Sequence, residues 1–409
     1  MVVSKRRSWR TLTALVMVAT ITLAACGSSE EEGGGDDRKV AKIGVIVPLL
    51  AGSTSFGIGI RNSVDLAIKQ ANDADKIPGW RLELAAEDDS GKPDVGGRAA
   101  SKLASDSAVV GVIGTFNSSV AQQTIPILDT ANIVQVSPGN TNDTLTRGEN
   151  FATSPARPHK NYFRTSTLDS LQGGFAADYA YKDAGKRAVV LVHDGKTYGK
   201  GLAESFAARF TANGGTVLGE TRVIAEDTTD YSGDVTNIQP LNPDIIFYGG
   251  EYNAAARLTA ELKKQGVTAP VMGGDGIVDQ SYVDNAKEAA TGDLGTSIGA
   301  PAEQLPSAKS YVDAYAAAGY SDPGSAQGAL AYDAANVIIN ALVQVLAGKD
   351  SIDSEVRAEI IAAVQATDFQ GSTGRVAFDQ YGDAVTKVLT VNEVAGNAWK
   401  PIKTGEFVA

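Results

Sequence analysis

Short apolar runs alternate with amphipathic stretches along this chain, and that alternation limits its possible folds more than any other feature. "KIGVIVPL" (42–49) is nearly continuous in apolar residues, as expected for a strand covered on both faces. "IRNSVDLAIKQAN" (60–72) places Val64, Leu66, Ala67, Ile68 and Ala71 mostly on one helical face. "RLELAAEDD" (81–89) reads as a strand that turns at "SGKPD", and "VGGRAASKLASD" as a helix. The strand "AVVGVIG" (108–114), the helix "SVAQQTIPILDTA" and the strand "IVQVSP" (133–138) continue the order. A β-α-β-α succession predicts a parallel, doubly wound sheet.

The pattern then restarts. "DSLQGGFAADYAYKDAG" (169–185) reads as a helix and "KRAVVLVHD" (186–194) as a strand. "YGKGLAESFAARFTANGG" is a helix closed by paired glycines, a C-terminal cap signal. "TVLGETRVIA" reads as one strand and "PDIIFYGG" (243–250) as another, with the helix "NAAARLTAELKKQG" and the strand and turn "APVMGGDG" (269–276) after them. "SAKSYVDAYAAAG" and "AQGALAYDAANVIINALVQVLAG" form a second helical block. The end is β-rich, with a hairpin-like turn at "QYGD". Two α/β units are therefore expected, and no later segment is expected to reach the length of a membrane helix.

The N-terminus is of another kind. Lys5, Arg6, Arg7 and Arg10 precede an apolar run from Leu12 to Ala24, the layout of a signal peptide. "Leu23-Ala24-Ala25-Cys26" is similar to a bacterial lipobox, in which the cysteine is lipidated and becomes the first mature residue. Cys26 is the one cysteine of 409 residues, so no disulfide can form within the chain. Gly27 to Asp37 holds glycine, serine and acids with nothing apolar to bury, which reads as a flexible tether. Residues 1–25 are thus assigned to the signal peptide and 26–38 to the tether. Formal net charge is −12, which argues against nucleic acid and anionic membrane surfaces as partners.

In open α/β sheets ligands sit beyond the carboxyl ends of the strands. The informative segments are therefore "GTFNSS" (114–119), "SPGNT" (137–141), "HDGKTYG" (193–199), "YGGEYN" (248–253) and "GGDG" (273–276). They contain no arginine, so neutral donors are expected to bind any ligand carboxylate.

"VGVIGTFNSSVAQQTIPIL", "QVSPGNT", "YFRTSTLDSLQG", "VVLVHDGKTYGKGLA", "IIFYGGEYNAAARLTAELKKQG" and "VMGGDG" occur in an order and spacing that resemble the branched-chain amino acid (Leu/Ile/Val) binding family. These are substrate-binding lipoproteins of ABC importers. The resemblance runs from about residue 40 to the C-terminus. It implies two Rossmann-like, doubly wound lobes joined by three chain crossings, the type I periplasmic-binding-protein fold, with ligand held in the cleft. Lobe one would be residues 40–168 and 299–376, and lobe two 169–298 and 377–409. No enzyme activity, cofactor or metal is implied. The implied partners are a small amino acid, most simply a branched-chain one, and the permease subunits of the importer. A monomer outside the cytoplasm, lipid-anchored to the cell membrane, is expected.

The resemblance also implies a site. Ser118 would meet the ligand α-carboxylate at a helix start, where free N–H groups help; helix capping is the plainer role for a serine there. Gly139 would offer its backbone and Thr141 its hydroxyl to the same group. Tyr198 would close over the ligand from lobe two. Glu251 and Asp275 follow neighbouring strands and would pair with the α-ammonium. The family usually has an aromatic residue at the place of Glu251 and a glutamate at that of Asp275. Two readings stay open: Glu251 takes over the ammonium contact, or the site prefers a more cationic ligand. Phe56 would help line the side-chain pocket. Asn117 and Gln327 are more polar than the family's usual residues at those places, which weakens a purely aliphatic pocket. Another amino acid, an amide, a cationic amine or a sensory role is the alternative function. "ENFATSPARPHKN" (149–161) reads as an insertion with no assigned role.

Rival chemistries find little support. The two histidines, His159 and His193, have no G-x-S-x-G nucleophile elbow to serve. "DADKIPG" (73–79) lacks the later ligands of a calcium loop. "GIGIRN" (57–62) lacks the third glycine of a dinucleotide fingerprint.

Overall fold

The computed structural model describes residues 38–322, 324 and 327–408. The signal peptide, Cys26 and nearly all of the tether lie outside the described residues.

The first half of the chain builds β1 (Lys39–Val47), α1 (Thr54–Asp73), β2 (Trp80–Asp88), α2 (Pro93–Ser105), β3 (Val109–Gly114), α3 (Ser118–Thr130), β4 (Val134–Ser137), α4 (Thr144–Arg147) and β5 (Tyr162–Arg164). Its five strands form one parallel sheet in the order β2-β1-β3-β4-β5. The apolar runs explain this directly: every residue of β3 and β4 is buried, as a strand with helices on both faces requires. The predicted face of α1 (Val64, Leu66, Ala67, Ile68, Ala71) is buried, together with Phe56 and Ile60.

The second half continues with α5 (Asp169–Asp178), β6 (Ala188–His193), α6 (Thr197–Ala212), β7 (Thr216–Val217), β8 (Arg222–Val223), α7 (Ser232–Ile238), β9 (Ile245–Gly249), α8 (Tyr252–Lys264), β10 (Val271–Gly273), α9 (Gln280–Ala286) and β11 (Leu294–Ile298). Then come α10 (Lys309–Ala317), α11 (Gly328–Val345), α12 (Ser354–Gln365), β12 (Asp368–Gly371), β13 (Gly374–Ala377), β14 (Val388–Ala395) and β15 (Ala398–Glu406). The second sheet runs β15-β14-β11-β10-β9-β6-β7, with β8 also paired to β6. Its central strands are parallel, and β14 and β15 add an antiparallel edge.

The chain passes between the two layered assemblies three times. After β5 it enters α5, which packs on α6. After β11 it returns, and α11 packs on α1 and β3 while α12 packs on β4. After β13 it leaves again to place β14 beside β11.

Three expectations are corrected. "TVLGETRVIA" is not one strand but two pairs of residues, interrupted where Gly219 takes φ +67°. α11 is, by length and composition, long enough to cross a membrane, against the expectation that no later segment would be. Its buried face includes Ile338, Ile339 and Leu342, and its buried Asp333 accepts hydrogen bonds from Ser372 N and Thr373 N, so it works here as a core helix. An arginine does stand at a strand tip: Arg164 ends β5, completely buried. Its guanidinium donates to Asp383 Oδ1 at 2.8 Å, to the carbonyls of Asn140 (3.1 Å) and Asn142 (3.0 Å), and to Thr146. Those bonds commit it to the framework.

Candidate functional site

Register brings the strand tips level. Val47 lies opposite Asp88 and Ile46 opposite Gly114 in the first sheet. In the second, His193 lies opposite Gly249, and Tyr248 opposite Gly273. The loops carrying Ser53, Asp89 and Asn117 therefore leave one sheet together, and those carrying Asp194, Glu251 and Asp275 leave the other. α6 can start close against β9 because two glycines meet there: a Cβ on Gly249 would stand 2.0 Å from the Gly199 carbonyl oxygen. That approach seats Tyr198 and Glu251 beside each other.

Asn117, Gly139, Tyr198, Glu251 and Asp275 line one small cavity of about 10 Å³, with Phe116 and Gly276. That is room for roughly one water, so an amino acid enters only if these side chains part. Hydrogen bonds reach across the cavity from both assemblies. Glu251 accepts from Asn117 Nδ2 and from Ser53 Oγ. Asp275 accepts from Tyr198 Oη at 3.0 Å and from Gln327 Nε2 at 3.3 Å. Nearby, Asn142 Nδ2 donates to Asp169 Oδ2 and to the Thr197 carbonyl, both at 3.1 Å. Thr197 Oγ1 also donates to Gln122 Oε1 at 3.0 Å.

The remaining expected residues are nearby with different duties. Ser118 is the first residue of α3, and its Oγ accepts from Asn142 N at 3.4 Å. Neither it nor the N-cap residue Asn117 makes a side-chain capping bond, so the capping role for these side chains is not used. Thr141 is buried, and its hydroxyl has no hydrogen-bond partner of good geometry among the described residues. Phe56 stands behind the wall instead of in it. It stacks on Phe116 with centroids 4.7 Å apart and meets Tyr252 edge-on. The segment 149–161 is fastened by Arg157, which donates to the Tyr162 carbonyl at 2.9 Å and lies over the Phe163 ring. A larger groove of about 760 Å³ runs over the outer side of α6, between Phe151, Lys200 and Phe407. None of the nine expected ligand residues lines it.

The family model described as "Periplasmic binding protein" matches residues 40–398. This chain belongs to that family. It is 30% identical to Leu/Ile/Val-binding protein homolog 3 of Brucella melitensis over 66% of this chain and 71% of that one. It is 28% identical to the Leu/Ile/Val-binding protein BraC3 of Rhizobium johnstonii, over 85% and 90% of the two chains. Among solved structures it is similar to the branched-chain amino acid transporter substrate binding protein LivJ of Streptococcus pneumoniae in complex with isoleucine. That likeness has a TM-score of 0.78 at 26% identity and covers 90% of this chain and 99% of that one. The chain is therefore an extracytoplasmic solute-binding protein of the ABC-importer kind, which takes a small molecule to a permease, and it is not an enzyme. Its histidines do local work. His159 Nδ1 pairs with Asp129, and His193 Nδ1 accepts from Gly195 N.

The electrostatics of this binding protein's cleft are dominated by buried acids. Burial pushes the Asp275 carboxyl up, opposed by hydrogen bonds from Tyr198 and Gln327. Burial also raises Glu251, and the Lys196 ammonium, 3.8 Å away, counters it in part. Asp169 is pushed well above the usual range by burial and by the charge of Asp143. Burial drives Asp89 and Asp194 up to about 7, and the charge of Glu251 adds to the shift in both. Burial lowers the Lys196 ammonium, but Glu251 and Glu226 outweigh it and hold its pKa up.

Sequence reasoning missed Ser53, Asp89, Asp194 as a neighbour of Glu251, and Lys196 as its partner. The strand-tip rule covers Asp89 and Asp194, since each directly follows a strand. Ser53 directly precedes α1 and lies outside the strand-tip segments.

Proposed function

We propose that this protein captures an α-amino acid by closing its cleft, with the ligand ammonium on Asp275 and the carboxylate on the Ser118, Gly139 and Thr141 end. Lobe one comprises residues 40–168 and 299–376 in this reading, and lobe two 169–298 and 377–409. The observation that carries it is the convergence on Asp275. Tyr198 reaches that acid from α6, and Gln327 reaches it from the start of α11, which packs on the first sheet. A ligand bound to Asp275 thus touches both lobes at once and shifts the open–closed equilibrium by that differential contact. The buried Thr141 hydroxyl, which has no hydrogen-bond partner of good geometry among the described residues, supports a carboxylate at the opposite end.

The names of the relatives make leucine, isoleucine and valine the first ligands to test. Calorimetric titration of protein unfolded and refolded to strip carried-over ligand tests the reading. Micromolar or tighter binding of any α-amino acid, lost when its carboxylate or ammonium is blocked, is the expected result. Tight binding of the blocked forms would refute it.

Cys26 anchors the mature chain to the membrane by lipid in the same proposal, and the acidic, glycine-rich segment after it gives the lobes reach to the permease. Cys26→Ala is expected to move the protein from the membrane fraction to the soluble fraction. Retention in the membrane fraction would refute the anchor.

A further inference from the structure

One end of the cavity is built for something other than an aliphatic side chain. Glu251 occupies the N-cap position of α8, where an acid ordinarily bonds its own helix, yet it makes no capping bond. Its two oxygens point across the cleft to Asn117 and Ser53, both neutral donors. Lys196 stands 3.8 Å away and is paired more tightly with Glu226. Around this carboxylate, further acceptors are buried without partners among the described residues: Asp89 Oδ2, Asp194 Oδ2 and Asn117 Oδ1. Asn117 is 5% exposed and lines the cavity itself.

Buried carboxylates set against methyl groups are costly, because nothing replaces the water they lose. A group with several N–H donors and a positive charge offsets that cost, since charge-assisted hydrogen bonds satisfy several acceptors together. We propose that the Glu251, Asn117 and Asp89 end of the cleft takes a second cationic group, so that the ligand is an amino acid with an ammonium or guanidinium side chain. The inference rests on the α-amino acid reading above. In the bound state the α-ammonium lies on Asp275 and the side-chain cation lies on Glu251. Asn117 Oδ1 supplies a neutral acceptor beside it. The charges facing Glu251 come from three loops: Asp89 after β2, Asp194 and Lys196 after β6, and Glu226 after β8. Acids outweigh the lysine among these groups, so an incoming cation meets net attraction.

The test compares ligands that differ only at the distal end. The purified protein, refolded to remove bound ligand, is titrated at pH 8 with lysine, arginine, norleucine, leucine and cadaverine. Norleucine carries the lysine chain without its terminal ammonium. Lysine or arginine binding at least tenfold tighter than norleucine is expected. Glu251→Gln should bring that ratio close to one, with a melting profile showing that the variant is folded. The wild-type ratio alone decides the matter if the variant does not fold. Norleucine or leucine binding as tightly as lysine would overturn the cationic end and leave the α-amino acid reading standing. Cadaverine binding with no response to any α-amino acid would do the reverse. Silence from all five would overturn the cationic end.

Discussion

The Tyr198 hydroxyl holds the Asp275 loop twice, donating to Asp275 Oδ1 at 3.0 Å and accepting from Gly276 N at 3.1 Å. Its hydrogen-bonding capacity at this loop is spent on these two bonds, so it fixes the orientation of Asp275. Burial, and next the charge of Asp275, hold the Tyr198 hydroxyl well above its ordinary pKa, so it stays a donor.

Asp275→Asn keeps the size and the contacts to Tyr198 while removing the charge. A buried ammonium that loses a charged partner loses on the order of 3 kcal/mol, or about a hundredfold in affinity. Calorimetry should show that fall with little change in melting temperature. Unaltered affinity would remove Asp275 from the ammonium assignment.

Asp89 carries a pH signature. Its folded pKa is raised to about 7, so between roughly pH 4 and pH 7 the native state binds more protons than the unfolded chain. Stability contributed through this group therefore falls as pH rises across that window. Asp89→Asn should raise the melting temperature at pH 8 and leave it near the wild-type value at pH 4. A gain of equal size at both pH values would show that the charge is not responsible.

Arg164 and Asp383 make the opposite signature. Burial raises the Asp383 carboxyl, but Arg164, Thr146 and Arg147 together outweigh it and hold its pKa below the ordinary range. The pair contributes stability above the ordinary carboxylate pKa and loses it as pH falls through the depressed folded value. Arg164→Met removes one of the two arginines on the buried Asp383, with Arg147 Nε keeping its bond at 2.8 Å, and is expected to cost about 3 kcal/mol in urea unfolding at pH 7. The loss should shrink below about pH 4, where the carboxylate protonates.

Gly249→Ala tests the seat of α6. The added methyl meets the Gly199 carbonyl oxygen at 2.0 Å, a backbone atom that cannot swing aside. Overpacking of this sort costs about 1–3 kcal/mol. Ligand affinity should fall as well, because α6 carries Tyr198. A variant with full affinity would show that the helix start has room to move.

Much of this was legible in the sequence, for a physical reason. Strands covered on both faces must be apolar throughout, and β1, β3 and β9 advertise themselves that way. The strand-tip rule pointed to the loops of Asn117, Gly139, Tyr198, Glu251 and Asp275, which line one cavity because topology fixes where loops cluster. What stayed hidden has no period to read. β5 is three residues long, too short to show that Arg164 ends a strand. Phe56 shares its helix face with core residues, and nothing local says that Phe116 stands in front of it. Ser53 bonds an acid 198 positions away, a separation that only the assembled sheets reveal.

Arg164 has one more effect. Its guanidinium holds the carbonyls on either side of Thr141, and Asp383, just past the last crossing, holds the guanidinium. The loop expected to receive the carboxylate is therefore frozen in advance by the same residues that join the lobes. Little conformational entropy is left for a ligand to remove there. Competing ligands should enter at similar speeds and be told apart by how long they stay.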